Sequence, residues 1–105
     1  MKFKIGNRNW TIRETNQEEL QKEMGEINGC YFGLTIPNRQ EILLWEDLCD
    51  EQKRQTLCHE LFHCYTCTYI SFNALELNED WWADICANSH DIIHEITEKY
   101  FTKEK

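Results

Sequence analysis

Two histidines and a glutamate near the middle of the chain have the spacing of a catalytic metal site. His59, Glu60 and His63 form the pattern His-Glu-x-x-His. On a helix, residues at this separation lie on one face, so both imidazoles can bind one metal ion. Glu60 projects about 100° around the helix from His59, beside the metal, where it can take a proton from a metal-bound water. The pattern therefore predicts zinc-dependent hydrolysis of a peptide bond in a protein or peptide substrate, with Glu60 as the general base.

A third zinc ligand is expected from the helix that follows the motif helix. Catalytic zinc sites usually have three protein ligands and an open position. Glu79 and Asp80 stand at the start of a predicted helix and project about 100° apart on it, so only one can face the metal. We expect Glu79, which has the longer reach, and keep Asp80 as the alternative. Asp84, one turn after Asp80, is a candidate partner for a ligand imidazole.

Other residues close to the motif help to decide which type of metal site is expected. A three-histidine zinc site of the metzincin kind would need Gly and His where this chain has Thr66 and Tyr69. His90 and His94 are also four apart, and we expect them to be ordinary exposed or hydrogen-bonded histidines. Tyr69 and His90 are candidates for stabilising an oxyanion beside the zinc.

The chain resembles the ImmA/IrrE-type zinc metallopeptidases, most closely their small phage and prophage members. The likeness spans most of the chain and is carried by the segments 56–63, 78–80, 83–88, 33–35 and 41–43. It implies a compact gluzincin-like fold, one zinc held by His59, His63 and an acid at 79 or 80, and Glu60 as the catalytic base. It also implies a regulatory protein, such as a transcriptional repressor, as the substrate.

The chain departs from the family pattern in two ways. Phe62 stands where a small residue is usual, which predicts a narrower cleft or altered substrate access. No appended DNA-binding domain is expected in a chain of this length, so a repressor substrate would be another chain. Small size and Phe62 also motivate an alternative function, a non-catalytic, zinc-stabilised protein-binding module of a mobile element. A third function, Cys-rich redox or metal storage, would rest on Cys64 and Cys67.

Hydrophobic periodicity predicts the elements that position these residues. Alternating apolar residues predict strands, helical spacing predicts three helices, and Gly and Pro mark the turns between them. The predicted strands cover 3–5, 9–13, 30–36 and 41–45, and the helices cover about 16–24, 51–69 and 79–101, with Asp50 and Asn78 as caps of the last two. The last two strands should form an antiparallel hairpin, with one sheet edge beside the motif helix. We predict an α+β fold with a small antiparallel sheet of three to four strands packed on three helices.

Composition sets the class of protein. The 105 residues predict a single domain, and the formal net charge of −8 disfavours direct nucleic-acid binding. The first eight residues lack the apolar core of a signal peptide, and no apolar run has membrane-spanning length. We therefore expect a cytoplasmic protein without a membrane partner. In that compartment the six cysteines, including Cys64-x-x-Cys67, should be free thiols that pack as small hydrophobes.

Overall fold

A computed structural model describes residues 1–26, 28–69 and 79–103, without the side chains of Glu79 and Lys103. The elements in chain order are β1 (Lys2–Ile5), β2 (Arg8–Thr15), α1 (Gln17–Met24), β3 (Gly33–Ile36), β4 (Glu41–Trp45), α2 (Asp50–Tyr69) and α3 (Glu79–Lys103). The predicted connector 71–77 and the predicted cap Asn78 lie outside the described residues. Within the described ranges, no helix combines the length and the apolar character needed to cross a membrane.

The four strands form one mixed sheet with the order β1-β2-β4-β3. The pairs β1–β2 and β3–β4 are antiparallel, whereas β2 and β4 run parallel in the centre. The predicted α+β class, with four strands and three helices, is confirmed. The prediction of a purely antiparallel sheet is wrong at its centre. There, α1 and β3 lie between β2 and β4 in the chain, and the intervening segments return the chain so that β4 enters the sheet in the direction of β2.

Local sequence signals explain most of the element boundaries. The Asn16 side chain caps α1 by accepting a hydrogen bond from the Glu19 N–H at 2.9 Å, and Gly25 ends the helix in the left-handed region with φ of 77°. Gly6, with φ of 58°, turns the chain between β1 and β2. Asp50 lies inside α2 and does not cap it, because the preceding carbonyl, that of Cys49, accepts the first helical bond from Lys53. The strand predicted from residue 30 begins only at residue 33.

The core lies between the sheet and the pair α2 and α3. Trp10 is fully buried there and stacks on Phe3 with ring centroids 6.5 Å apart. Leu57 and Leu61 of α2 and Tyr100 of α3 close the same cluster. On the opposite face of the sheet, α1 packs on β4. The apolar face of α2 therefore packs on the sheet, and the polar face of this helix lies beside β3.

The apolar residues of α3 are buried only in part. Ile85 and Ile96 are buried, but Trp82 and Cys86 are exposed. The C-terminal part of α3 joins the core under the sheet, while Trp82 in the N-terminal part packs against Phe62 of α2. Met24 is 43% exposed. It is the last residue of α1, directly before the Gly25 C-cap.

Candidate metal centre

Successive turns of α2 bring the two motif histidines together at the surface. The Nε2 atoms of His59 and His63 lie 3.3 Å apart, and the ring planes are inclined by 75°. Both side chains are exposed. The motif helix was predicted over 51–69, and the structure is helical over that whole range. The two imidazoles therefore lie on one face of the helix, as expected.

The separation of the two nitrogens fits one zinc ion. Zinc–imidazole bonds of 2.0–2.1 Å in a tetrahedral shell place two ligand nitrogens roughly 3.3–3.4 Å apart. The observed 3.3 Å matches this spacing without a change of rotamer. In the absence of a metal, the same distance allows an N–H···N hydrogen bond if one ring carries its proton on Nε2.

The described residues include two candidate zinc ligands, His59 and His63. Within the described ranges, no third His, Cys, Asp or Glu side chain joins His59 and His63 in a metal-binding group. Asp80, the alternative third ligand, is exposed on the first turn of α3. Glu79 is the first residue of α3, and its side chain lies outside the described part of the structure. Glu79 therefore stays a prediction as the third ligand.

The Glu60 carboxyl group is buried and anchored to the neighbouring strand. Glu60 is only 7% exposed, and its Oε1 accepts a hydrogen bond of 2.7 Å from Thr35 Oγ1. The same hydroxyl lies 3.2 Å from the Glu60 carbonyl oxygen. Oε2 has no hydrogen bond to any residue in the described part of the chain. One oxygen is thus held in place and the other can exchange a proton.

Gly33 allows β3 to approach the motif helix closely. A Cβ atom at this position would lie 2.7 Å from Thr56 Cγ2 and 3.3 Å from Glu60 Cγ. Gly33 and Thr35 share one face of the strand, the face toward α2. The sequence predicted a sheet edge beside the motif helix but did not assign Gly33 or Thr35 to the site. Residue type alone gives no signal for either position, because the burial of Glu60 is known only from the structure.

A cleft of about 360 Å³ opens between the β3 edge and the motif helix. Its walls include Tyr31 and Phe32 on one side, and Gln52 and Gln55 on the other, with His59 and Glu60 at one end. Among the described residues that line the cleft, Glu60 is the only carboxylate and none is Lys or Arg. The cleft is therefore largely uncharged, although the whole chain carries a formal net charge of −8.

Phe62 does not narrow this cleft. Its ring packs against Trp82 of α3, with centroids 6.0 Å apart, on the side of α2 that faces α3. Phe62 lines a separate groove between these two helices, together with Cys58, His90 and His94. Phe62 is not among the described residues that line the cleft, because its ring packs against Trp82 of α3.

The other candidate residues lie away from the histidine pair. His90 and His94 stack with nearly parallel rings 6.2 Å apart and are both exposed, as expected for ordinary histidines. Tyr69 is 53% exposed and packs on Tyr65, outside the cleft. Asp84 lines a shallow depression together with Tyr65 and Tyr69. Neither His59 nor His63 lines this depression.

The cysteines fit the prediction of free thiols. All six are unpaired, and Cys64 is fully buried in the core. Burial raises the pKa of the Cys64 thiol, and to a lesser degree burial also raises the pKa of Cys67. Neutral buried thiols are poor metal ligands and poor nucleophiles. Cys64-x-x-Cys67 therefore has the properties of packing residues.

No family model matches the chain, and no curated protein or solved structure matches it either. The likeness to ImmA/IrrE-type peptidases accordingly rests on the motif residues and their spacing.

Proposed function

We propose that this protein is a zinc metallopeptidase that hydrolyses a peptide bond in a protein substrate. The observation that carries the proposal is the 3.3 Å separation of the His59 and His63 Nε2 atoms, on the same helix as the buried Glu60. We propose these histidines and Glu79 as zinc ligands, with Asp80 as the alternative. When bound, zinc would supply a Lewis acid for the peptide carbonyl and lower the pKa of a water molecule.

In this proposal, Glu60 moves the proton. Its free Oε2 takes a proton from the attacking water and delivers it to the leaving amine. Thr35 holds Oε1 at 2.7 Å, so the carboxylate keeps one orientation during both transfers. Burial of the side chain beside the strand excludes bulk water, which would otherwise compete for the proton.

The substrate segment is proposed to lie along the free edge of β3. β3 is the last strand in the sheet order, so one side of its backbone has no strand partner among the described residues. An extended peptide can pair with such an edge through main-chain hydrogen bonds. This edge runs past Glu60 and the cleft, which supports the choice of a peptide over a small molecule.

A regulatory protein, such as a transcriptional repressor, is the proposed substrate on the strength of the family likeness. We propose the cytoplasm as the compartment. Six unpaired cysteines, three of them exposed, are typical of a reducing environment.

Zinc content and the Glu60→Gln variant test the proposal together. Purified protein should contain one zinc per chain by elemental analysis and should cleave members of a peptide library. Glu60→Gln should keep the zinc and lose cleavage by about 10²–10⁴-fold, the usual contribution of a general base. Glu51→Gln removes the same charge from an exposed position in the first turn of α2 and should leave cleavage unchanged. Retained cleavage in Glu60→Gln contradicts the role of Glu60.

One observation favours the second candidate, a non-catalytic, zinc-stabilised protein-binding module. The Glu60 carboxylate is buried and hydrogen-bonded to Thr35, an arrangement that also serves a purely structural acid. In that case a bound protein partner would be recovered uncleaved, and its affinity would be the same for wild type and Glu60→Gln. Cleavage of the partner by wild type alone excludes this candidate.

A further inference from the structure

Gln17, the first residue of α1, holds the backbone of Tyr31 at both of its polar groups. Gln17 Oε1 accepts a hydrogen bond of 3.0 Å from the Tyr31 N–H, and Gln17 Nε2 donates to the Tyr31 carbonyl oxygen. A neighbouring β-strand would make the same two bonds with one residue of an edge strand. The side-chain amide of Gln17 therefore occupies the backbone groups that a strand would use.

The sheet register shows which backbone groups of β3 face the open edge. The Trp45 N–H donates to the Phe32 carbonyl at 2.8 Å, and Leu34 pairs with Leu43 in the same ladder. Backbone groups alternate sides along a strand, so those of Gly33 and Thr35 face away from β4. Tyr31 lies two residues before Gly33, outside the strand, and Gln17 bonds both of its backbone groups. Within the described residues, the backbone groups left for pairing at this edge are those of Gly33 and Thr35.

The segment around Tyr31 is held by two further contacts. Gln21, one turn after Gln17 on α1, donates from Nε2 to the Gly29 carbonyl at 2.8 Å. The Tyr31 hydroxyl donates to Glu26 at 2.7 Å, which raises the pKa of Tyr31, and the Tyr31 ring lies over Gly29. Gln21 therefore supports the same segment without touching the Tyr31 backbone.

We propose that Gln17 ends the substrate-binding edge, an inference that rests on the proposed peptidase function. A bound peptide pairs with Gly33 and Thr35, and it cannot pair with Tyr31 because Gln17 already does. Beyond Gly33 the peptide leaves the sheet and enters the cleft beside Gln52 and Gln55. The substrate class is then a short extended segment, such as an exposed loop or a chain end of a folded protein, and not a long strand.

Amide hydrogen exchange in the metal-free protein tests the capping directly. Gln17→Ala should speed exchange at the Tyr31 amide by about five- to tenfold, the effect of a typical net hydrogen-bond energy. Gln21→Ala loosens the same segment and should leave the Tyr31 amide protected. Gln17→Glu keeps an oxygen acceptor and should also preserve that protection. Equal Tyr31 exchange in wild type and Gln17→Ala overturns the proposal.

Peptide hydroxamates of increasing length test the consequence for substrates. The hydroxamate anchors each probe on the zinc-loaded protein, and calorimetry gives the Kd for each length. In wild type, a peptide residue added beyond the one that pairs with Gly33 should not increase the affinity. In Gln17→Ala, the same added residue should increase the affinity by about five- to tenfold, because one more hydrogen bond becomes available. Gln21→Ala should follow the wild-type length dependence.

Two results separate the inference from the function on which it rests. The same length dependence in wild type and Gln17→Ala, with hydroxamates bound, overturns the capping role of Gln17 and leaves the peptidase proposal intact. Failure of every hydroxamate to bind overturns the peptidase proposal, whereas the exchange rate at Tyr31 still decides whether Gln17 caps the edge.

Discussion

Thr35 Oγ1 lies 2.7 Å from Glu60 Oε1, so a hydroxyl on the edge strand orients the buried carboxylate of the motif helix. This bond joins the two elements between which a peptide substrate would lie. The orientation of the proposed base therefore depends on a strand residue that is not part of the His-Glu-x-x-His pattern.

Thr35→Val should reduce both stability and cleavage. Valine keeps the branched shape but leaves a buried carboxylate oxygen without its donor, which costs about 1–3 kcal/mol. We expect a similar loss in the free energy of unfolding by urea, and about a tenfold drop in kcat as Glu60 loses its orientation. Thr35→Ser retains the hydroxyl and should stay close to wild type in both measurements. Equal cleavage by the Val and Ser variants would contradict an orienting role for the hydroxyl.

Removal of either motif histidine should abolish zinc binding. The prediction rests on the converging Nε2 atoms of His59 and His63. His90 and His94 form a matched control, since they are also four apart on a helix but their rings are parallel and 6.2 Å apart.

Elemental analysis and thermal unfolding measure this difference. At zinc one hundred times above Kd, binding should stabilise the wild type by about 2.7 kcal/mol. That stabilisation should disappear in His59→Ala and persist in His90→Ala. Equal zinc-dependent shifts of Tm in these two variants would rule out the motif pair as the site.

Glu79→Ala and Asp80→Ala should differ in zinc affinity. Asp80 is exposed and belongs to no metal-binding group within the described residues, which leaves Glu79 as the expected ligand. Loss of one of three protein ligands should weaken zinc binding strongly, and competition with a chromophoric chelator measures it. The Asp80 variant should bind as wild type does. The reverse order of affinities would assign the third ligand to Asp80.

Sequence patterns were sufficient to predict the elements and the motif pair. The alternation in residues 2–5 and the helical spacing of Leu57 and Leu61 depend on local periodicity, which the folded chain preserves. The His-Glu-x-x-His spacing places both histidines on one face of any helix that contains it. Predicting the helix α2 was therefore enough to predict the histidine pair.

Relationships across the fold were not predictable in this way. The parallel pairing of β2 with β4 depends on how α1 and β3 return the chain, and no local pattern encodes that choice. The Gln17–Tyr31 and Thr35–Glu60 bonds join residues 14 and 25 positions apart. Gln and Thr occur on many exposed surfaces, so residue type alone gave no signal for either contact.

Glu19 should contribute stability that depends on pH. Its hydrogen bond from Arg13 at 2.8 Å holds the pKa of Glu19 below its ordinary value of 4.5, with further help from the Thr15 hydroxyl. A depressed folded-state pKa stabilises the protein above the unfolded value and loses that effect as the pH falls through the folded-state pKa. Because both partners are partly exposed, the effect should be only about 0.5 kcal/mol.

Urea unfolding of wild type and Glu19→Gln across this pH range measures the contribution. The stability difference between the two proteins should be constant near neutral pH and should shrink as the pH falls below 4.5. Glu18→Gln changes an exposed neighbour in the same helical turn and controls for net charge. A stability difference that is the same at all pH values would exclude the ionised carboxylate as its source.

Gly33→Ala should push the edge strand away from the motif helix. The new methyl group would lie 2.7 Å from Thr56 Cγ2, which is too close for contact, and 3.2 Å from the Leu43 carbonyl oxygen, which is tighter than an ordinary contact. Such overpacking costs about 1–3 kcal/mol of stability. The displacement would also lengthen the Thr35–Glu60 bond, so cleavage should fall together with the free energy of unfolding.

Thr56→Ser provides a compensating change for this variant. Serine removes the Cγ2 atom and keeps Oγ1, which lies 3.3 Å from Gln52 Nε2. The double variant Gly33→Ala/Thr56→Ser should therefore be more stable than the sum of the single effects predicts, by about 0.5–1 kcal/mol. Recovery should be incomplete, since the Leu43 carbonyl is backbone and stays in place. If the two single effects are additive, the contact between position 33 and Thr56 is not the cause of the destabilisation in Gly33→Ala.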